Sequence, residues 1–317
     1  MQPDVTFVIA AYNAGDTIRR AIASALAQRG VSVEIVVADD RSSDNTAAIA
    51  GSFQDERVRV VTLDRNRGPG GARNAALALA KGRWIAVLDS DDTVFPDRIA
   101  GMITRAEDAG SKAAVDNIEV INEGETRREA MFPVHYLAKI HEITLADFIA
   151  SNLVFKATFN FGYMKPIFER RFIETHGLRY EENLRIGEDY IFLASILAKG
   201  GTCVVEPSVG YAYHVRAGSI SRVLEKHHII AMLEADKAFL AKFELGAEAK
   251  AAQARRTRSL EEAKSFLSLV DYIKRRSISG IIEVVLKDPA ALRHLSMPIG
   301  VRLRRLIPSV PSAGRSS

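Results

Sequence analysis

The chain has 317 residues, of which 47% are hydrophobic and 26% charged, and its net charge is +4. This length allows one large domain or two modest ones, and the composition excludes disordered and fibrous classes. The one cysteine, Cys203, excludes an intramolecular disulfide framework, and its apolar neighbours favour a core thiol over a nucleophile. The sequence shows no signal peptide and no apolar run of about 18 residues, so we expect a cytoplasmic protein that is not integral to a membrane.

The charge is spread unevenly along the chain. Residues 1–221 carry 25 Lys and Arg against 29 Asp and Glu, whereas residues 222–317 carry 18 against 10. The change from −4 to +8 predicts a boundary near residue 222. The expected units are a larger domain at 1–221 with halves 1–110 and 111–221, a basic helical extension at 222–307 and a disordered tail at 308–317.

Apolar runs of strand length alternate with helical segments in the first hundred residues. Strands are predicted at 5–11, 33–38, 58–63 and 84–88. Helices are predicted from Asp16 or Thr17 to about 28, from Asp44 or Thr46 to about 53, over 72–81, and from Pro96 onward. Alternation with short connections predicts an α/β fold with a doubly wound, mainly parallel sheet.

The pattern loosens after residue 110. Strands are expected at 113–121, 202–205 and 210–214, a charged loop at 123–128, and helices at 166–175 and from about Glu188 to 197. From residue 222 the sequence predicts helix until Pro289, because Gly and Pro are nearly absent.

One acidic stretch is the centre of the expected site. The apolar strand at 84–88 ends on three carboxylates, Asp89, Asp91 and Asp92. Carboxylates this close repel one another, so one would take up a proton unless a cation is bound, and hard oxygen ligands favour Mg²⁺ or Mn²⁺. A solvated Asp-rich turn is the alternative.

Polar residues also follow the first and second strands, Tyr12–Asn13 and Asp39–Asp40 respectively. Ligands bind at the carboxyl ends of the strands in such sheets, so we expect these residues and the acidic stretch to form one site.

Five motifs in order strengthen this interpretation. They are Val-Ile-Ala-Ala-Tyr-Asn at 8–13, Glu-Ile-Val-Val-Ala-Asp-Asp-Arg-Ser-Ser-Asp at 34–44, Gly-Ala-Arg-Asn at 71–74, Leu-Asp-Ser-Asp-Asp at 88–92 and Gly-Glu-Asp-Tyr at 187–190. Over roughly residues 3–221 the chain resembles the family 2 inverting glycosyltransferases. Among these it looks most like bacterial exopolysaccharide members, including succinoglycan-type glucosyltransferases. The resemblance implies a GT-A, Rossmann-like fold and a nucleotide-sugar donor.

The resemblance also implies roles for individual residues. Asp89 and Asp91 form the D-x-D motif that would bind Mn²⁺ or Mg²⁺, and Asp92 would share this role. Tyr12 and Asp40 match positions that hold uracil in similar enzymes, and Ala10 lies beside them. For Tyr12, a structural role as a core aromatic is as well supported as stacking on the base.

The adjacent carboxylates at 188–189 have two interpretations. Alone, they suit a helix N-terminus, where the helix dipole favours negative charge. The resemblance instead implies that Asp189 is the general base and that Glu188 assists it or contacts the acceptor, although the two could exchange roles.

Other positions are less regular. The glycines at 68–71 do not match a dinucleotide-binding motif; they either form a phosphate-favouring helix start with Arg73 as a cationic partner or serve only as a structural turn. His214 and Arg216 stand in exchanged order relative to many relatives, and either residue can meet the diphosphate or the metal. Arg41 replaces the usual glycine, so we expect some shift of that loop.

Three clusters in the basic extension, at 255–258, 274–276 and 302–305, are either solvated helix faces or contacts for an anionic membrane surface. Nucleic acid is not an expected partner, since the first domain is acidic and no nucleic-acid motif is present.

We therefore expect a metal-dependent inverting transfer of a hexose, most simply glucose, from a UDP-sugar to a glycan or lipid-linked glycan acceptor. The alternatives are a nucleotidyltransferase, which would usually need a Gly-rich basic loop after the first strand, and a non-catalytic sugar-nucleotide-binding partner.

Overall fold

The computed structural model describes residues 2–122, 128–215 and 224–295. Several predictions lie outside these ranges: most of the charged loop at 123–128, the role of Arg216, the boundary near 222, the cluster at 302–305 and the tail at 308–317.

The first part of the chain alternates strand and helix as predicted. Its elements are β1 (Val5–Ala11), α1 (Ile18–Leu26), β2 (Val33–Asp39), α2 (Thr46–Gly51), β3 (Val58–Thr62), α3 (Gly68–Leu79), β4 (Trp84–Val87), β5 (Thr93–Val94) and α4 (Arg98–Asp108). Every residue of β2 and β4 is buried, and all of them except Glu34 and Asp39 are apolar, as expected where helices cover both faces of a parallel sheet.

The second part is less regular. Its elements are β6 (Ala113–Asn122), β7 (Arg128–Ala130), α5 (Val134–Leu137), α6 (Leu145–Ser151), a 3₁₀ turn (Phe161–Tyr163), β8 (Ile167–Glu169), α7 (Arg170–Thr175), α8 (Glu188–Ala198) and β9 (Cys203–Val215). The helical extension consists of α9 (Lys226–Lys242), α10 (Ala247–Lys274), α11 (Ile278–Lys287) and a 3₁₀ turn (Pro289–Leu295).

The strands form one mixed sheet in the order β3-β2-β1-β4-β8-β6-β9-β5, with β7 paired to β6. β1 pairs in parallel with both β2 and β4, and Ala11 lies opposite Asp39. The ends of β1, β2 and β4 therefore meet at one edge, as predicted. β8 enters antiparallel beside β4, so the sheet is not parallel throughout.

Three element boundaries differ from the sequence prediction. The segment from Pro166 is not helical at first, because residues 167–169 pair with β4 and β6, and the helix begins only at Arg170. The two short strands predicted at 202–214 form one long strand, β9. Helix α3 begins at Gly68, four residues earlier than predicted.

Close packing explains the glycines at the start of α3. A Cβ on Gly70 would lie 2.7 Å from the carbonyl oxygen of Glu181, and a Cβ on Gly71 would lie 2.4 Å from the Cβ of Arg67. A larger residue at position 70 would push α3 away from the segment before α8, and one at position 71 would displace Arg67, so these glycines serve a packing role.

Cys203 is fully buried, as predicted for a core thiol. Burial and the charge of Glu142 raise the pKa of its thiol, which disfavours the reactive thiolate. Among the described residues, no helix combines the length and the apolar character that a bilayer crossing would need.

The C-terminal helices pack against the start of α8. In the buried part of this contact, the guanidinium of Arg256 donates to Asp236 Oδ2 at 2.9 Å and to the carbonyl oxygen of Asn152 at 2.8 Å. The same guanidinium lies 3.7 Å from the ring centroid of Tyr190, whose other face stacks on Phe148. Helices α9 and α10 thus hold the first turn of α8 from outside.

This contact predicts a large loss of stability on substitution of Arg256. Arg256→Met leaves the buried Asp236 carboxylate without its cation, and breaking such a pair costs about 3–5 kcal/mol of unfolding free energy. Urea denaturation followed by circular dichroism measures the change. Arg275→Met is the matched control, because Arg275 forms an exposed (i, i+4) pair with Asp271, and such pairs contribute less than about 1 kcal/mol. Equal losses in the two variants would contradict the bracing role.

Candidate functional site

The loop after β1 forms the rim of the site. Tyr12 is half exposed there, while Ala10 is only partly exposed and packs against the core. Hydrogen bonds join the loops after β1 and β2. The backbone amide of Asn13 donates to Ser42 Oγ, and the side-chain oxygen of Asn13 accepts from the backbone amide of Ser43. Tyr12 is therefore a surface ring on a fixed loop rather than a core aromatic.

Arg41 adopts a φ of 63° in the loop after β2. This left-handed conformation is the one that glycine usually supplies, and it is uncommon for a side chain such as arginine. The turn thus keeps a glycine-like backbone geometry with Arg41 in place.

Asp40 is buried behind this loop. One of its carboxylate oxygens accepts from the amide of Arg67 at 2.6 Å, and the other accepts from the amide of Gly68 at 2.8 Å. Burial raises the pKa of Asp40, and these two amides oppose that rise. Asp40 thereby occupies the N-terminus of α3, the position where a phosphate had been considered; each oxygen keeps a further lone pair for a ligand.

The acidic turn after β4 is held on both sides. Arg20 donates to the backbone carbonyl of Asp91 at 2.6 Å from α1. Asp92 is fully buried and accepts from the Tyr211 hydroxyl at 2.7 Å and from the backbone amide of His214 at 2.8 Å. The ring of His214 contacts Thr93 Oγ1 at 3.1 Å, so His214 borders the acidic turn.

The pKa of Asp92 reflects the excess negative charge of this turn. Burial raises its pKa to about 8, and the charges of Asp89 and Asp91 add to the rise. Hydrogen bonds from its two partners oppose this shift but do not cancel it. A cation near the turn would therefore be bound favourably.

Asp89 faces the other way, towards two buried cations. Arg73 Nη2 lies 2.7 Å from Asp89 Oδ1, and Lys165 Nζ lies 2.7 Å from Asp89 Oδ2. Burial works to raise the pKa of Asp89, but Lys165 and Arg73 outweigh it and hold the pKa well below its usual range. Asp89 is consequently ionised at neutral pH.

The same two cations hold the carboxylates at the start of α8. Arg73 Nη1 lies 2.5 Å from Glu188 Oε1 and 3.2 Å from Asp189 Oδ1, and Lys165 Nζ lies 3.1 Å from Asp189 Oδ2. Two cations thus face three carboxylates. The metal motif and the expected base therefore both contact one ammonium group, that of Lys165.

Glu188 and Asp189 differ in their surroundings. The Glu188 side chain is 9% exposed, whereas that of Asp189 is 19% exposed. Burial, followed by the charge of Asp189, raises the pKa of Glu188, and Arg73 opposes the rise. Gly187 caps the helix with a φ of 92°, which explains why a glycine precedes the pair. Asp189 is the more accessible of the two.

Sequence reasoning had assigned Arg73 to the phosphates, but the structure places its 4%-exposed side chain among three carboxylates. Arg73 is therefore a positioning residue in this arrangement. Sequence reasoning missed Lys165 and Tyr211 altogether. No motif marks either residue; the signal available was a lysine directly before Pro166, at the end of an aromatic stretch.

The carboxylates at 89–92 suit a divalent cation that takes only some of its ligands from the protein. Within the described ranges, no three Asp, Glu, His or Cys side chains converge to enclose a metal. Mg²⁺ and Mn²⁺, however, commonly take one or two carboxylates and complete their shell with phosphate oxygens. The carboxylates at 89–92, with the raised pKa of Asp92, fit this second type of site.

The comparisons with known proteins agree with this geometry. Residues 6–172 match the family model described as glycosyl transferase family 2. The chain is 59% identical to the succinoglycan biosynthesis protein ExoO of Rhizobium meliloti, over 99% of this chain and 92% of that protein. It is 31% identical to WfaP of Escherichia coli, a UDP-Glc:α-D-GlcNAc-diphosphoundecaprenol β-1,3-glucosyltransferase, over 68% of this chain and 79% of that protein.

Solved structures show the same fold. Residues 1–349 of Staphylococcus aureus TarS, in complex with UDP-GlcNAc, match with a TM-score of 0.65 at 18% identity, over 89% of this chain and 90% of that chain. A Pyrobaculum calidifontis mannosyltransferase in complex with GDP-Man and Mn²⁺ matches with a TM-score of 0.59 at 16% identity, over 96% of this chain and 81% of that chain. These matches confirm the predicted GT-A fold with a helical C-terminal region. Since the family model also covers more than half of its residues, the chain belongs to glycosyltransferase family 2.

Proposed function

We propose that this glycosyltransferase moves glucose from UDP-glucose to a growing glycan, with inversion, in the synthesis of a bacterial exopolysaccharide. The observation that carries the proposal is the carboxylate pair Asp89 and Asp189 on either side of the Lys165 ammonium, at the edge where β1, β2 and β4 end. A donor-side carboxylate and a separate base are what an inverting transfer requires. Succinoglycan and glucosyltransferase relatives support the polymer and the sugar.

The donor would lie along the rim of the sheet. Tyr12 offers an exposed ring for stacking on the base, and Asp40 offers a remaining lone pair to a base N–H. Ala10 lies at the end of β1 beside them, and His214 lies beyond the acidic turn. Arg216 follows His214 in sequence and is assigned to the diphosphate together with it.

A divalent metal, Mn²⁺ or Mg²⁺, would be held by Asp91 and Asp89, with Asp92 behind them, and when bound it would neutralise charge on the departing UDP. Asp92 is part of the turn and accepts a hydrogen bond from the Tyr211 hydroxyl. It would therefore stabilise the loop even where it does not contact the ion.

Asp189 would take the proton of the attacking hydroxyl. The acceptor oxygen forms a bond to the anomeric carbon while the bond to the UDP oxygen breaks, and the hydroxyl proton passes to an Asp189 oxygen. Lys165 and Arg73 hold this carboxylate in place through ion pairs of 3.1 and 3.2 Å. Glu188 is turned towards Arg73 and would assist by fixing that guanidinium.

Two other functions fit less well. A nucleotidyltransferase would need cationic groups in the loop after β1, where residues 10–13 are Ala, Ala, Tyr and Asn. A non-catalytic sugar-nucleotide-binding partner would have no need of a base, yet Arg73 and Lys165 hold Asp189 in place close to Asp89.

We also propose that the acceptor is lipid-linked and that the protein is attached peripherally to an anionic membrane surface. The acceptor of the WfaP relative is α-D-GlcNAc-diphosphoundecaprenol, a lipid-linked sugar, and residues 222–317 carry the +8 charge. The structure changes one detail of the sequence prediction: Arg256 is buried in its ion pair, so only its neighbours Arg255 and Arg258 are exposed in that cluster. All of residues 274–276 are exposed.

The metal assignment predicts the behaviour of Asp91→Ala. In Mn²⁺ the wild-type protein should hydrolyse UDP-glucose faster than UDP-GlcNAc or GDP-mannose, and Asp91→Ala should abolish turnover. Calorimetric titration should show weaker UDP binding by the variant, because one carboxylate ligand is lost, while circular dichroism stays unchanged. Asp97→Ala, which removes a highly exposed carboxylate at the start of α4, is the control and should behave as wild type. Equal UDP affinity with and without Mn²⁺ in both proteins would contradict the assignment.

The base assignment predicts a different pattern. Asp189→Asn keeps the volume of the side chain but removes its basicity, so turnover should fall by about 10²–10⁴ with nearly unchanged UDP affinity. Glu188→Gln should lower turnover by a smaller factor. Steady-state rates and UDP titrations at one Mn²⁺ concentration test both. A dead Glu188→Gln beside an active Asp189→Asn would exchange their roles, and two active variants would leave the pair as a helix cap.

A further inference from the structure

The outer face of α11 is a row of exposed aliphatic side chains. Ile278 is 73% exposed, Ile282 is 52% exposed and Leu286 is 78% exposed. Their spacing of four residues places them on one side of the helix. Two further aliphatic residues, Ile273 at the end of α10 and Leu292 in the following 3₁₀ turn, are each 43% exposed. We call Ile278, Ile282 and Leu286 the α11 stripe.

The opposite side of α11 is fixed to the protein. Gly280 is buried against α10, and a Cβ on it would lie 2.4 Å from the ring of Tyr272. The helix is also capped, since Ser277 Oγ accepts from the amide of Gly280. Because the close contact at Gly280 determines which side of the helix faces inward, the α11 stripe is held outward.

The stripe lies in the most basic part of the chain. Residues 271–317 carry nine Lys and Arg against three Asp and Glu. Lys274, Arg275 and Arg276 directly precede α11, and Lys287 ends it; all four are exposed. Aliphatic residues on one side with basic residues at the ends are typical of a helix that lies in a membrane interface.

The length of α11 and the basic residues around it indicate what binds to this face. At 10 residues α11 is too short to cross a bilayer, which needs about 20. A second copy of the chain would bring the same positive charge to the contact and be repelled. Anionic lipid headgroups complement the charge, and the acyl region beneath them accepts the aliphatic side chains.

We propose that α11 is the membrane-inserting element of this protein, lying in the plane of an anionic bilayer with the α11 stripe among the acyl chains. The inference rests on the peripheral attachment proposed above and adds that apolar insertion at this helix, rather than charge alone, provides the binding. The surrounding basic residues would then set the preference for anionic lipid.

The test compares polar substitutions that keep the charge. The full chain is floated with vesicles of phosphatidylcholine, with and without phosphatidylglycerol. Ile282→Gln/Leu286→Gln should lower the partition into anionic vesicles by about tenfold or more, because two aliphatic side chains no longer insert. Ile230→Gln/Leu240→Gln, which changes two exposed aliphatic residues of α9, is the matched control and should partition as wild type.

Fluorescence gives a second measurement. The chain has one tryptophan, Trp84, which is buried, so its emission should not respond to lipid. In Leu286→Trp the added emission should shift to shorter wavelength only when anionic vesicles are present.

The outcomes separate the two proposals. Failure of the wild-type protein to float on anionic vesicles would remove the peripheral attachment and the insertion together. Flotation that is equal for wild type and Ile282→Gln/Leu286→Gln would leave the attachment intact and overturn the insertion. Short-wavelength emission from Leu286→Trp without vesicles would also overturn it, because the stripe would then be covered by the C-terminal residues or a second copy.

Discussion

The site depends on the buried guanidinium of Arg73. Its two terminal nitrogens bind carboxylates from the turn after β4 and from α8, which are about a hundred residues apart in sequence. Together with Lys165 beside it, this cation offsets the repulsion among Asp89, Glu188 and Asp189 at close range. The contact therefore joins the turn after β4 to the helix that carries the proposed base, and it determines their relative position.

Other features serve to bring Arg73 to this place. The glycines at 70–71 let α3 approach the segment before α8, and the buried Asp40 fixes the beginning of the helix. Asp40 thus has a structural role that the sequence motif does not disclose, beside its proposed contact with the base. The N-terminus of α3 is satisfied by a protein carboxylate, which removes the need for a phosphate there.

The C-terminal extension takes part in the same arrangement. Tyr190, one residue after the proposed base, is held between Phe148 and Arg256, and Met232 lies beside Gly187. The basic helices therefore contribute to the structure around α8, whether or not they also contact a membrane. They also limit the movement of the first turn of α8, so that a change in the extension can reach the site through packing.

The sequence alone determined the alternation of strands and helices, the edge of the sheet where the site lies and the carboxylates in it, because apolar runs and turn residues act locally. It did not determine β8, whose three residues become a strand only by pairing with β4 and β6. Nor did it determine the partners of Arg73 or the role of Lys165. A buried charge takes the partner that the packed chain brings within about 3 Å, and that proximity between distant segments exists only in the tertiary structure.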